Sequence, residues 1–73
     1  MSHHDLLKEY QNRLYKEYPD VYTNVWIMRL NGNVDYILIA VVDETCFTSE
    51  TCDTPQECFD ALPVDQICHK FNS

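Results

Sequence analysis

The side chains with the most chemistry to offer in this chain are four cysteines, Cys46, Cys52, Cys58 and Cys68, with His69 beside the last. Three of them fall in the stretch CFTSETCDTPQECF, six residues apart. Such a set could bind a metal, form disulfides, or supply a reactive thiol. Structural zinc sites bring ligands in close pairs, about two to four residues apart, because a tight knuckle presents two thiolates to one ion. Here five, five and nine residues intervene, so no knuckle exists. The four cysteines are therefore only a weak alternative as a metal site, and no cofactor is expected. Four cysteines allow three disulfide pairings, of which Cys46–Cys52 and Cys58–Cys68 would close short loops. The N-terminus, MSHHDLLKEY, is polar and carries no export signal, so the expected compartment is the reducing cytoplasm, where thiols stay free.

A reactive thiol needs a lowered pKa. Cys46 and Cys52 sit among Asp43, Glu44, Glu50 and Asp53, whose negative charge disfavours the thiolate. Cys58 and Cys68 lie on the apolar sides of their own segments, where a cysteine packs as a small hydrophobe. Cys68 and His69 are neighbours on an expected helix, so their side chains diverge and cannot act as nucleophile and base. One glycine in the whole chain leaves no phosphate-cradling loop. No catalytic residue is assigned, and an enzyme is not expected.

The segments that carry these residues read as an α+β domain spanning 1–73: an N-terminal helix, a β-hairpin, then one or two short C-terminal helices, αββα(α). In the first helix Leu7, Tyr10, Leu14 and Tyr18 recur at helical spacing, and Pro19 ends it. Glu9 and Arg13 are placed for an i,i+4 pair. Two segments rich in β-branched and aromatic residues, 23–30 and 33–43, flank Asn31-Gly32, a strong hairpin signal. A two-residue turn would set Trp26 opposite Ile37 and Asn24 opposite Ile39. One face of this ribbon carries Trp26, Met28, Leu30, Ile37, Ile39 and Val41; the other carries Val25, Ile27, Val34, Tyr36, Leu38 and Val42. Both faces are apolar, which requires helices on both sides, a third strand, or a surface left for a partner. The sequence offers no clear third strand; the N-terminal helix can cover one face and the C-terminal helices the other, or one hairpin face stays uncovered as a place for an interface. Thr54-Pro55-Gln56-Glu57 reads as a capped helix start, with Cys58, Phe59, Ala61 and Leu62 inward. After Pro63, Val64, Ile67, Cys68 and Phe71 form a second apolar stripe.

A chain of 73 residues buries only ~60% of its unfolded surface, so its core is small. Its net charge of −7 is lopsided: residues 1–31 carry four acids and four bases, while residues 32–73 carry eight acids and one base. Such a surface repels nucleic acid and anionic membrane and steers toward basic protein patches. No apolar run reaches membrane-spanning length. What remains is protein binding, by a chain expected to be monomeric. The candidate contact residues are Tyr15 and Tyr22, two tyrosines hard to place inside, and the acids Asp43, Glu44, Glu50, Asp53, Glu57 and Asp60. The alternative is that these acids mimic DNA phosphates and fill the nucleic-acid channel of a nuclease.

In length, acidity and αββα character, the chain resembles the small acidic proteins with which bacteriophages bind and redirect host enzymes. Bacterial RNA polymerase is a common target of that class. The resemblance is one of type and carries over no functional positions. It implies a regulator or inhibitor of transcription that works by contact in the host cytoplasm.

Overall fold

A computed structural model describes residues 3–30, 32 and 35–72. The chain is α+β, in the order α1 (His3–Glu17), β1 (Thr23–Arg29), β2 (Tyr36–Val42), β3 (Thr45–Thr48), α2 (Pro55–Ala61) and α3 (Val64–Asn72). The strands form one antiparallel sheet in the order β1-β2-β3. The helix–hairpin–helix order is that expected from the sequence. β3 is an addition, because the acidic stretch after Val42 was read as loop.

Two details of the hairpins differ from expectation. In the first, Trp26 pairs with Ile39 and Met28 with Ile37, and the Leu30 N–H donates to the Asp35 carbonyl at 3.0 Å. The connection therefore holds four residues, 31–34, and the register is displaced by two from that of a two-residue turn. A displacement of two leaves each side chain on its face, since strand side chains alternate with period two. Asn31, Asn33 and Val34 lie outside the described residues. Gly32 has φ 67°, where a Val would be strained even though open space surrounds the missing Cβ. In the second hairpin only Asp43 and Glu44 separate Val42 from its partner Thr45. Asp43 takes φ 57°, a left-handed conformation that aspartate tolerates better than most residues.

The three helices among the described residues lie on the same side of the sheet, so of the arrangements the sequence left open the one with an uncovered sheet face is found, and a helix layer on each face is not. The sheet residues in the core are Val25 on β1 and Leu38, Ala40 and Val42 on β2, all of one parity. They pack with Tyr10 and Leu14 of α1, Cys58 and Phe59 of α2, Leu62 just beyond it, and Val64 and Ile67 of α3. Burying each large aliphatic side chain contributes roughly 1.5–3 kcal/mol. Ala61, expected inside, is exposed. Thr54 caps α2 as its sequence implies: its hydroxyl oxygen accepts the Glu57 N–H at 3.3 Å, and Pro55 opens the helix. At the other end of α2 the Tyr10 hydroxyl donates to the Leu62 carbonyl, tying α1 to a helix terminus that lacks intrahelical partners. Tyr10 and Phe59 rings lie 5.7 Å apart, and Tyr18 meets Phe71 edge-on at 5.0 Å. Arg13 reaches Asp65 at 3.3 Å, in place of the expected pairing with Glu9. Both partners are largely exposed, so this bridge contributes little.

Ser49 ends the regular pairing of β3. Its N–H donates to the Leu38 carbonyl, and its hydroxyl oxygen accepts the Leu38 N–H, both at 2.9 Å. The ladder resumes at Tyr36–Cys52, where each N–H donates to the other's carbonyl. Between these two pairs, Glu50 and Thr51 lie opposite the single residue Ile37, a β-bulge. Ser49 is buried, and its hydroxyl replaces a backbone acceptor. Ser49→Ala leaves the Leu38 N–H without a partner in the sheet centre, and the expected loss is about 1–3 kcal/mol by chemical denaturation. A loss within error of zero contradicts this role for the hydroxyl.

Candidate functional site

Helices cover only one side of the sheet, so the other side is open. By register it presents Asn24, Trp26 and Met28 from β1, Ile37, Ile39 and Val41 from β2, and Cys46 and Thr48 from β3. Trp26 is 36% exposed and Met28 45%, and Ile37, Ile39 and Val41 are half-buried by their strand neighbours alone. Among the described residues no ionisable side chain other than the Cys46 thiol belongs to this surface. Its boundary is acidic. Asp35 and Asp43 flank the row Ile37, Ile39 and Val41 at its two ends. Glu44 adjoins Asp43 in the turn.

The two edges of the sheet differ in how much backbone they offer to an added strand. The even residues of β1 bond to β2, so the Val25 N–H points outward, and Asn24 Oδ1 accepts it at 3.0 Å. β3 is four residues long and ends in the bulge.

The acids proposed as contacts form two sets. Asp43 and Glu44 lie at one end of the sheet with Tyr22, whose carbonyl accepts the Asp43 N–H at 2.7 Å. Glu50, Asp53 and Glu57 lie toward the other end, around Cys52, which pairs with Tyr36. The seven residues of β2 separate the two sets by about 20 Å. Asp60 sits on α2, where its carboxylate accepts from Gln56 Nε2 at 3.4 Å. Tyr22 and Tyr15 are both exposed, at 65% and 62%, but Tyr15 belongs to the outer side of α1 and Tyr22 to the sheet end.

The cysteines do not converge. Cys46 is on the open face and Cys58 is buried in the core on the opposite side. Cys68 lies on α3 near Tyr10 and Tyr18. Cys52 and Cys58 are the thiols that neighbour each other, a pairing the spacing did not single out. All four are free, and among the described residues no three His, Cys, Asp or Glu side chains are grouped to hold a metal. Desolvation, then the Cys58 thiol, then Glu57 and Glu50 push the Cys52 thiol up, away from the reactive thiolate. A cleft between α1 and the C-terminal helices, lined by Leu6, Glu9, Tyr10, Arg13, Phe59, Pro63 and Val64, holds about 190 Å³. It is open and smaller than the usual small-molecule pocket. Among the described residues no helix is long and apolar enough to cross a membrane.

The open face was partly legible. Its residues were assigned to one side of the hairpin correctly, but Trp26 was equally readable as core. The missing signal was β3, whose Thr45-Cys46-Phe47-Thr48 alternates as a strand directly after a turn-tolerant aspartate. No family model, curated protein or solved structure matches this chain.

Burial, the Cys68 thiol and Glu17 push the Tyr18 phenol up to about 12, from an ordinary value of 10.0. Its hydroxyl is buried and has no hydrogen-bond partner among the described residues. Desolvation pushes Tyr10 up as well. The folded chain thus holds these phenolic protons to higher pH than the unfolded chain. Their contribution is fully present below pH 10 and is lost as pH climbs toward 12. Tyr18→Phe is expected to flatten that alkaline loss in denaturation curves and to leave stability near pH 7 unchanged or higher. An unchanged alkaline slope contradicts the assignment.

Proposed function

We propose that this chain is a protein-binding regulator or inhibitor that acts by contact and not by catalysis. The observation that supports this reading is the open sheet face carrying Trp26, Met28, Ile37, Ile39 and Val41. Apolar surface of this kind, contiguous and without charge, marks interaction sites on small proteins. Tryptophan and methionine are enriched in interface cores, and a partly exposed tryptophan among aliphatic neighbours is a typical anchor. The acidic boundary adds steering toward a basic partner. The resemblance in type to phage proteins that redirect host enzymes makes bacterial RNA polymerase the first partner to test. In this reading the chain works as a monomer in the host cytoplasm.

The reading of the chain as a phosphate-mimicking decoy has less support. A DNA mimic needs acids along one continuous row, and here Asp43 and Glu44 are separated from Glu50, Asp53 and Glu57 by the length of the sheet.

The test is direct binding to purified RNA polymerase holoenzyme, measured with the parent chain and with Trp26→Ala. Binding is expected, and the substitution is expected to weaken it about tenfold or more, as for an interface anchor. No binding by the parent chain removes the polymerase as partner. Equal binding by both chains removes the open face as the contact surface.

A further inference from the structure

The dimensions and charge of the open face point to one kind of occupant. We propose that it seats an amphipathic α-helix of a partner protein, with an apolar stripe along its length and Lys or Arg toward both ends. This inference rests on the protein-binding reading above and specifies its chemistry.

Size comes first. Three strands spaced about 4.8 Å apart make a platform roughly 10–14 Å across. That matches one α-helix, about 10–12 Å in diameter, and is too narrow for two. The row Ile37-Ile39-Val41, continued to Asp35 and Asp43, runs about 26 Å at the rise of a β-strand. A helix of about 17 residues has that length. The protein already covers the opposite face of the same sheet with helices, so this mode of packing suits its twist.

Charge then selects the helix. Asp35 closes one end of the row and Asp43 with Glu44 closes the other. The described bases lie elsewhere: Lys8, Arg13 and Lys16 on α1, Lys70 on α3, and Arg29 at the end of β1 with the parity of the covered face. A second copy of the chain is disfavoured by the same pattern. When two such faces pack with their strands aligned, parallel or antiparallel, an acidic end meets an acidic end, and each copy carries −7 overall. Strand addition on β3 is limited by its four-residue length, and on β1 the Val25 N–H is already taken by Asn24. A helix with cationic ends pairs with both boundaries while its apolar stripe covers Trp26 and Ile39.

Trp26 is the chain's one tryptophan, so its fluorescence reports on this face alone. The experiment titrates the full chain with three synthetic, tryptophan-free helical peptides. One has a leucine stripe with lysine ends, one the same stripe with glutamate ends, and one lysine ends with serine in place of leucine. The lysine–leucine peptide is expected to give a saturable blue shift of Trp26, weakened about fivefold at low salt in Asp35→Asn/Asp43→Asn. Ile39→Lys is expected to abolish it. None of these positions is in the core, and asparagine keeps the left-handed turn at position 43, so circular dichroism should match the parent. Equal binding of the glutamate-ended peptide overturns the charge selection. Equal binding of the serine peptide overturns the apolar stripe. Concentration-dependent dimerisation lost in Ile39→Lys overturns the occupant in favour of a second copy. Should no peptide bind while the polymerase does, the helical class is overturned and the protein-binding reading survives. Should neither bind, the helical class and the polymerase as partner are both overturned.

Discussion

The structure depends on the central strand, β2. It is the only strand with two neighbours, and its sequence YILIAVV is apolar at every position. A strand of that composition expects cover on both faces, as in sheets buried between helix layers. The chain supplies cover for one. Leu38, Ala40 and Val42 are removed from water by α1, α2 and α3, while Ile37, Ile39 and Val41 are shielded only by their lateral neighbours. The rest of the molecule can be understood as consequences of that asymmetry.

On the covered side, a small core is held in one arrangement by a few directional contacts. The Tyr10 hydroxyl on the Leu62 carbonyl joins α1 to the end of α2. The Tyr18–Phe71 contact joins it to α3, and Ser49 secures β3 to β2 just before the bulge. These fix the helix layer on one face. On the open side the design is opposite. Among the described residues no ionisable side chain but the Cys46 thiol interrupts the apolar surface, acids stand at its ends, Asn24 takes the outward Val25 N–H of β1, and β3 is short and ends in the bulge.

Much of this was legible in the sequence because local signals were strong. Pro19 ends α1, Thr54-Pro55 starts α2, and the division of the hairpin into two apolar faces follows from alternation alone. That division survived an error of two residues in register, since only an odd displacement exchanges the faces. What was not legible required tertiary information. β3 is short and begins in an acidic turn, so its composition resembled a loop. Which face the helices choose depends on connection geometry: both C-terminal helices return to the side that α1 already occupies, and no local pattern states this. The even spacing of Cys46, Cys52 and Cys58 was the most conspicuous feature of the sequence and the least informative. The strand, the bulge and the cap place those thiols on the open face, at the sheet end and in the core respectively.

The central claim is that the face bearing Trp26 is open in the free chain. Quenching of tryptophan fluorescence by acrylamide, measured across a dilution series that keeps the chain monomeric, tests it most directly. With Trp26 36% exposed, the account predicts a quenching constant of roughly a third or more of that for a free indole, independent of protein concentration. A blue-shifted emission that acrylamide fails to quench would place Trp26 in a core, and the account would be wrong.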